Sequence, residues 1–276
     1  MKKDLSAKDT KLKETLEIAL SSPEMTWVAR GRRFFHMLPR DPRCASCFAP
    51  FEGPGGAFVK TVFNRTRSQT NPLFCSNCED AARRTHAGVE TEMSMLFADI
   101  RGSTPLAERM STIEFKRLID RFYTETTHVL THSFAVIDKL AGDEVSGFYL
   151  PGYIGRKYAK RSVEAAREIL RVTGHDGVRS PWAPVGVGIN TGEAYFGTVG
   201  EDDDLIEMTA LGDAVNVAAR LASEAATGEI VLSESTVRKA AIETTHLEHR
   251  KLELKGKSEP VDAWVMTLEH EIGRQH

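Results

Sequence analysis

Hydrophobic positions follow two rhythms on either side of residue 90. After it the pattern is regular. MSMLFADI, ending at Ile100, is a short apolar run of the kind that forms a buried strand. A helical spacing follows from Thr112 to Thr131. SFAVIDKL and EVSGFYLP read as two strands around the turn AGDE, and a long helix is predicted from Ile154 to Val172. VGVGINTGEAYFGTV and LIEMTAL read as strands, DAVNVAARLASEA as a helix, EIVLS as a strand and LELKGKSEPVDAWVM as a closing hairpin. Strands alternating with helices, with hairpins among them, predict an α+β sandwich with one sheet covered by helices.

The first part reads differently. Residues 9–38 carry helical apolar spacing at Leu12, Leu16, Ala19 and Leu20, a break at Pro23, then Met25, Trp27, Val28, Phe34 and Phe35. Residues 39–80 are rich in Gly, Pro, Asn and Cys (PFEGPGG, SQTNPLF), a composition that makes loops and tight turns. The expected organisation is a helical segment over 1–38, a small module over 39–85 and a main domain over 90–270.

Composition narrows the class. Hydrophobic residues make up 41% of 276, enough for an ordinary core, and charged residues 27%. A net charge of −3 gives no general pull toward nucleic acid or an anionic membrane. MKKDLSAKDTKLKE has no apolar core of a secretory signal, and no run approaches the roughly 20 apolar residues that span a bilayer. A soluble, cytoplasmic protein is expected.

All four cysteines, Cys44, Cys47, Cys75 and Cys78, lie in one window with the spacing C-x2-C-x27-C-x2-C. In a reducing compartment such pairs bind metal more often than they form disulfides. Four thiolates suit a closed tetrahedral Zn²⁺ site, and an iron–sulfur cluster accepts the same ligands. Nearby, Arg30 to Arg43 holds five arginines around Phe34 and Phe35. That segment either packs its aromatics on the protein with arginines in solvent, or touches an anionic membrane surface or nucleic acid. The acidic run Glu201 to Asp204 reads as a solvated hairpin tip.

Two acids stand at strand ends. Asp99 closes the MSMLFADI strand, and Asp143 sits in the Gly-Asp turn between two strands. Each alone could be a helix cap or an ordinary turn residue. Together they could hold two hard cations about 3.5–4 Å apart, the arrangement suited to in-line attack at phosphorus. Asn216 and Arg220, four apart on a predicted helix, project from one face.

Five blocks carry a resemblance: FADIRGST around Asp99, KLAGD from Lys139 to Asp143, GINTGEAYFGTVG, TALGDAVNVAARL from Thr209 to Leu221, and LKGKSEPVDAW. In this order and spacing, over about residues 90–267, the chain resembles the class III adenylyl/guanylyl cyclase family. The resemblance implies a ferredoxin-like βαββαβ-type domain. It also implies two Mg²⁺ or Mn²⁺ ions held by Asp99, Asp143 and the carbonyl of Ile100, Asn216 orienting the ribose, and Arg220 stabilising charge on the transferring phosphoryl group. Lys255 matches the lysine that neutralises the β- and γ-phosphates. The cysteine segment, with PFEGPGG and NPLFC, resembles a metal-binding module found before some cyclase domains.

Lys139 and Thr209 match the base-reading positions of the family, in its Lys/Thr subgroup. An ammonium can donate to adenine N1, whereas guanine N1–H would face it donor to donor and leave polar groups unpaired, at about 1–3 kcal/mol. A Thr hydroxyl accepts from adenine N6 but can also donate to guanine O6. The expected activity is conversion of ATP to 3′,5′-cyclic AMP and pyrophosphate. In the family the site is shared, so a head-to-tail homodimer is expected. A guanylate cyclase and a silent nucleotide-binding signalling module remain as alternatives, and a metal-stabilised nucleic-acid binder using residues 30–80 is a third.

Overall fold

The computed structural model describes residues 7–22, 34–35, 37–39, 42–44, 46–69, 72, 74–177, 180–200, 207–253 and 260–270, with Lys139, Leu140 and Glu207 described by their backbone. Among the described residues three helices precede the sheet, α1 (Ala7–Ser21), α2 (Gly53–Phe63) and α3 (Ser76–Thr85), and α4 (Ser103–Arg109) follows its first strand. Among the described residues the sheet has eight strands. They are β1 (Gly88–Ile100), β2 (Val136–Ala141), β3 (Glu144–Tyr149), β4 (Val185–Val199), β5 (Glu207–Leu211), β6 (Ile230–Ser233), β7 (Glu248–Leu252) and β8 (Val261–Met266). The order across the sheet is β2-β3-β1-β4-β6-β8-β7, with β5 paired to the far end of β4. β4 and β6 are parallel, and the other pairs are antiparallel.

β1 is the axis of the fold. Its alternation sends Leu96, Ala98 and Ile100 to one face and Met93, Met95 and Phe97 to the other. On the first face lie α5 (Thr112–His132), α7 (Tyr158–Val172) and α9 (Glu234–Ala240), through Phe122, Leu130, Val163, Ile169 and Val237. On the second, α8 (Asp213–Glu224) packs through Ala218 and Ala222, beside Leu20 of α1 and Phe35, Cys44, Phe74 and Cys75 of the cysteine segment. α8 lies so close to β4 that a Cβ at Gly188 would collide with the backbone of Ala222. α5 starts where the sequence predicts because Ser111 and Glu114 form a capping box, with Glu114 N donating to Ser111 Oγ at 3.3 Å.

Four local differences have physical causes. β1 begins at Gly88, five residues before the apolar run, because its polar half is paired with β4 without being buried on both faces. The helix expected from Ile154 is interrupted: α6 (Pro151–Ile154) is one turn, closed at Gly155 in the left-handed region (φ 83°), and α7 starts at Tyr158. α2 is a helix where its glycines and proline suggest a loop. Pro54 sits in its first turn, where proline is tolerated, and Gly55 is required because a Cβ there would lie 2.8 Å from the Pro39 carbonyl. The last hairpin pairs β7 with β8, so its first strand is 248–252 rather than LELK, and residues 254–259 lie outside the described residues.

Candidate active site

The end of β1 and the β2–β3 turn meet in one corner. Gly142 turns the chain at φ 64°, and the Ile100 amide donates to the Asp143 carbonyl at 3.1 Å. Tyr123 of α5 donates its hydroxyl to the Gly142 carbonyl at 2.8 Å and fixes the turn from outside. Asp99 follows the alternation of Met95 and Phe97, so it points to the face that carries α8. Asp99, Ile100 and Asp143 are thus brought together by backbone pairing.

The register adds a residue that the sequence reading did not single out. Glu144 stands directly opposite Asp99 in the β1–β3 ladder. Opposed side chains are about 4.5–5.5 Å apart at Cβ, so like charges there repel. Burial lifts the Asp99 carboxyl above its ordinary range; Arg101 opposes the rise and the Asp143 charge adds to it. Burial likewise lifts Glu144, followed by the charges of Asp99 and Asp143. Arg101 reaches back to pair its Nη2 with Asp99 Oδ2 and donates Nη1 to the Ser223 carbonyl at 2.9 Å. Its Nε is buried with no hydrogen-bond partner. An oxygen-rich corner with crowded negative charge suits a hard divalent cation.

The other predicted residues lie on α8 and further along the sheet: Asp99 stands opposite Gly186 of β4, Thr209 opposite Gly197. Asn216 is exposed on α8 and Arg220 is half-buried one turn further on, while Val217 and Leu221 of the same helix are buried. Through Arg101, the C-terminal end of that helix is tied to Asp99. Thr209 is buried on β5, opposite Gly197 of β4. β5 also lies against β2, the strand that carries Lys139, so Thr209 and Lys139 sit on touching strands of one chain. The Lys139 side chain, Lys255 and the run Glu201 to Asp204 lie outside the described residues. Among the described residues, no hydrogen bond or ion pair joins Asp99 or Asp143 to Asn216, Arg220 or Thr209.

A second centre lies in the segment before β1. The sulfurs of Cys44, Cys47, Cys75 and Cys78 all fall within 4.8 Å of one another, and the group could hold a metal ion. Cys44 and Cys47 lie in a turn where Phe48 N donates to Cys44 O at 2.8 Å and Phe48 adopts φ 63°. Cys75 and Cys78 open α3, with Cys75 at its N-cap. Cys47 Sγ lies 3.8 Å from Cys75 Sγ. Arg65 points Nη1 at the sulfurs of Cys75 and Cys78, at 3.6 and 3.8 Å. Burial lifts the Cys44 thiol, whereas sulfur neighbours, Cys44 first, pull Cys75 down. Of the arginine-rich stretch, Phe35 is buried, and Arg43 donates to the carbonyls of Phe35 and Leu38 at 2.8 and 2.6 Å. Arg30, Arg32, Arg33 and Arg40 lie outside the described residues.

The sequence model of the family described as Adenylate and Guanylate cyclase catalytic domain matches residues 86–267. The chain belongs to this family. It is 30% identical over 223 residues to an adenylate cyclase of Anabaena cylindrica, covering 75% of this chain and 42% of that one. It is 33% identical over 131 residues to the terminal-differentiation specific adenylate cyclase of Dictyostelium discoideum, covering 46% of this chain and 6% of that one. The chain therefore spans less than half the length of these relatives. Among solved structures it resembles the guanylyl cyclase Cya2 (27% identity, TM-score 0.57, 64% of this chain and 92% of that). It resembles the adenylyl cyclase CyaB of P. aeruginosa to the same degree (26%, TM-score 0.57, 67% and 99%). The mixed α+β fold expected for a cyclase domain is thereby met, and the chain carries a nucleotide-cyclase catalytic domain. Among the described residues, no helix is long and apolar enough to cross a membrane.

Proposed function

We propose that the chain is an adenylate cyclase that converts ATP to 3′,5′-cyclic AMP and pyrophosphate, in a head-to-tail homodimer with shared sites. The observation that carries this reading is the acid corner, where the Ile100–Asp143 backbone bond joins two carboxylate-bearing strand ends. Asp99, Asp143 and the Ile100 carbonyl would hold two Mg²⁺ or Mn²⁺ ions, for which oxygen donors are suited. Bound there, the ions supply the Lewis acid for the ribose 3′-hydroxyl and countercharge for the phosphates.

The chain's own residues do the rest. Arg220 holds the α-phosphate oxygens as charge builds on them, and its guanidinium keeps its proton throughout. Asn216 orients the ribose, and Lys255 neutralises the β- and γ-phosphates. Lys139 donates to adenine N1, and the Thr209 hydroxyl accepts from N6. The choice of ATP rests on Lys139, because the structural likenesses are equally strong for a guanylyl and an adenylyl cyclase.

For the cysteine centre the proposed ligand is one structural Zn²⁺. A sulfur–zinc distance of about 2.3 Å gives a tetrahedron whose edge is about 3.8 Å. The Cys47–Cys75 separation of 3.8 Å matches that edge, which supports a single ion over a cluster of several irons. Residues 39–85 would form this module, residues 90–270 the catalytic domain, and reduced thiolates fit a cytoplasmic setting. One zinc per chain and no visible absorbance would support this; a coloured protein containing iron would reject it.

The test of the activity is mass-spectrometric product analysis with ATP or GTP and Mg²⁺ or Mn²⁺. Cyclic AMP from the wild type and none from Asp99→Ala supports the proposal. Cyclic GMP, formed from GTP, as the only cyclic product would make the enzyme a guanylate cyclase. No cyclic product, either from the full chain or from residues 85–276, would make it a binding module. Shared sites require that Asp99→Ala and Arg220→Ala, each inactive, recover partial activity when mixed.

A further inference from the structure

We propose that Arg101 is a built-in counter-ion of the acid corner, competing with the divalent cation for Asp99 and so setting how tightly the site takes metal. The inference rests on reading Asp99 and Asp143 as metal ligands. It goes beyond that reading because it gives the free enzyme a cation of its own.

The geometry is specific. Arg101 is held at its backbone, where its amide donates to the Pro184 carbonyl at 2.6 Å, and at its tip, where Nη1 donates to the Ser223 carbonyl at 2.9 Å. The remaining arm is turned onto Asp99 Oδ2, with both side chains about one-fifth exposed (20% and 22%). This pose leaves Nε buried without a hydrogen-bond partner. A buried donor left unpaired is a cost, so some other interaction must hold the guanidinium there.

The charges supply it. Asp99 faces Glu144 across the ladder, and the charge of Asp143 reaches both. Asp138 adds a further negative charge at Glu144, and the Arg101 charge opposes these acids. Three half-buried carboxylates gathered by strand pairing need positive charge, and the guanidinium provides one unit of it. A divalent cation approaching Asp99 meets that guanidinium already seated on the same carboxylate. Metal uptake is therefore an exchange, and the affinity is lower than the acids alone would give. Arg101 is a positioning residue: it acts on the carboxylate and not on substrate. Its hold on Ser223 also fixes the end of the helix bearing Arg220, so a purely architectural role is the competing explanation.

Metal affinity separates the two. The full chain, with its cysteine centre zinc-loaded, is titrated with Mn²⁺ without nucleotide at fixed ionic strength, and free Mn²⁺ is read by electron paramagnetic resonance. Wild type is compared with Arg101→Ala, Arg101→Gln and Asp99→Asn. Competition predicts that both Arg101 variants bind Mn²⁺ several-fold tighter than wild type. It also predicts that they melt lower without metal, and that Mn²⁺ raises their melting temperature by more. Equal or weaker Mn²⁺ binding by a folded Arg101 variant overturns the proposal. Arg101→Gln keeps a donor for Ser223 and carries the test if Arg101→Ala does not fold. If Asp99→Asn binds like wild type, the metal reading of Asp99 fails, and this inference fails with it. Uptake by the Arg101 variants alone would support competition in its strongest form, and uptake by none of the four would overturn it.

Discussion

The acid corner and the cysteine centre both gather ligand atoms, and they do it in opposite ways. The four sulfurs sit within 4.8 Å of one another, two of them largely sealed from solvent, in a cage sized for one ion. The carboxylates of the corner are partly exposed and mutually repelling, and Asp99 is already paired with Arg101. Soft ligands closed around a single position suit a permanent ion that organises a loop-rich segment. Hard ligands left partly open suit ions that arrive and leave with substrate phosphates. Closure separates the two centres more than ligand number does.

The largest expected effect attacks the open centre. Asp99→Ala should lower cyclic product by at least about 100-fold, the scale of several kcal/mol of lost charge stabilisation, with the fold retained by circular dichroism. The closed centre should respond in the reverse manner. Cys75→Ser, or a strong chelator, should unfold residues 39–80 in hydrogen exchange while the paired core of β1 and β4 stays protected. Unfolding that spreads into β1 would break the contrast.

Charge gives a smaller effect with a definite sign. Asp99 and Glu144 protonate more readily in the folded protein than in the unfolded chain. The folded state then binds more protons, so this contribution to stability is present at low pH and fades as pH rises through the raised values. Metal-free protein should gain from this pair as pH falls from neutral through the raised values. Glu229, held low by Arg250, contributes in the opposite direction and only at lower pH. Glu144→Gln should raise the metal-free melting temperature at pH 7 by about 2–4 °C and flatten that pH response. A variant that melts lower at pH 7 would show Glu144 to be supported, not strained. The smallest effect is at the sulfurs: Arg65→Met should weaken zinc retention a few-fold in chelator competition, because the guanidinium lies against Cys75 and Cys78.

Legibility in the sequence followed the range of the interaction. Asp99 and Asp143 could be picked out because an acid at a strand end and a Gly-Asp turn are local signals. The cysteine spacing announced the second centre, and the i, i+4 spacing put Asn216 and Arg220 on one helix. Glu144 was not found, because a polar position in a strand does not tell which residue it will face. Only the register to Asp99 reveals it. Arg101 escaped for the same reason, since Ser223 lies 122 positions along the chain. α2 was misread because glycine is used there for close approach and not for a turn. α9 carried a legible start, Ser233 accepting from Thr236 N at 3.3 Å, but its seven residues are too few for a clear apolar period.

The pairing of β1 with β4 has a mechanical consequence. Thirteen consecutive positions, Gly88 to Ile100, match β4 with no slip. Such a strand behaves as a stiff rod. Its second-face residues Met93, Met95 and Phe97 sit in the same packed cluster as Cys44 and Cys75, and Asp99 is the next residue in that row. A rod gripped along its length and carrying a carboxylate at its tip converts a small shift in packing into a change of aim. Whatever alters the cysteine segment therefore has a short, rigid lever to Asp99.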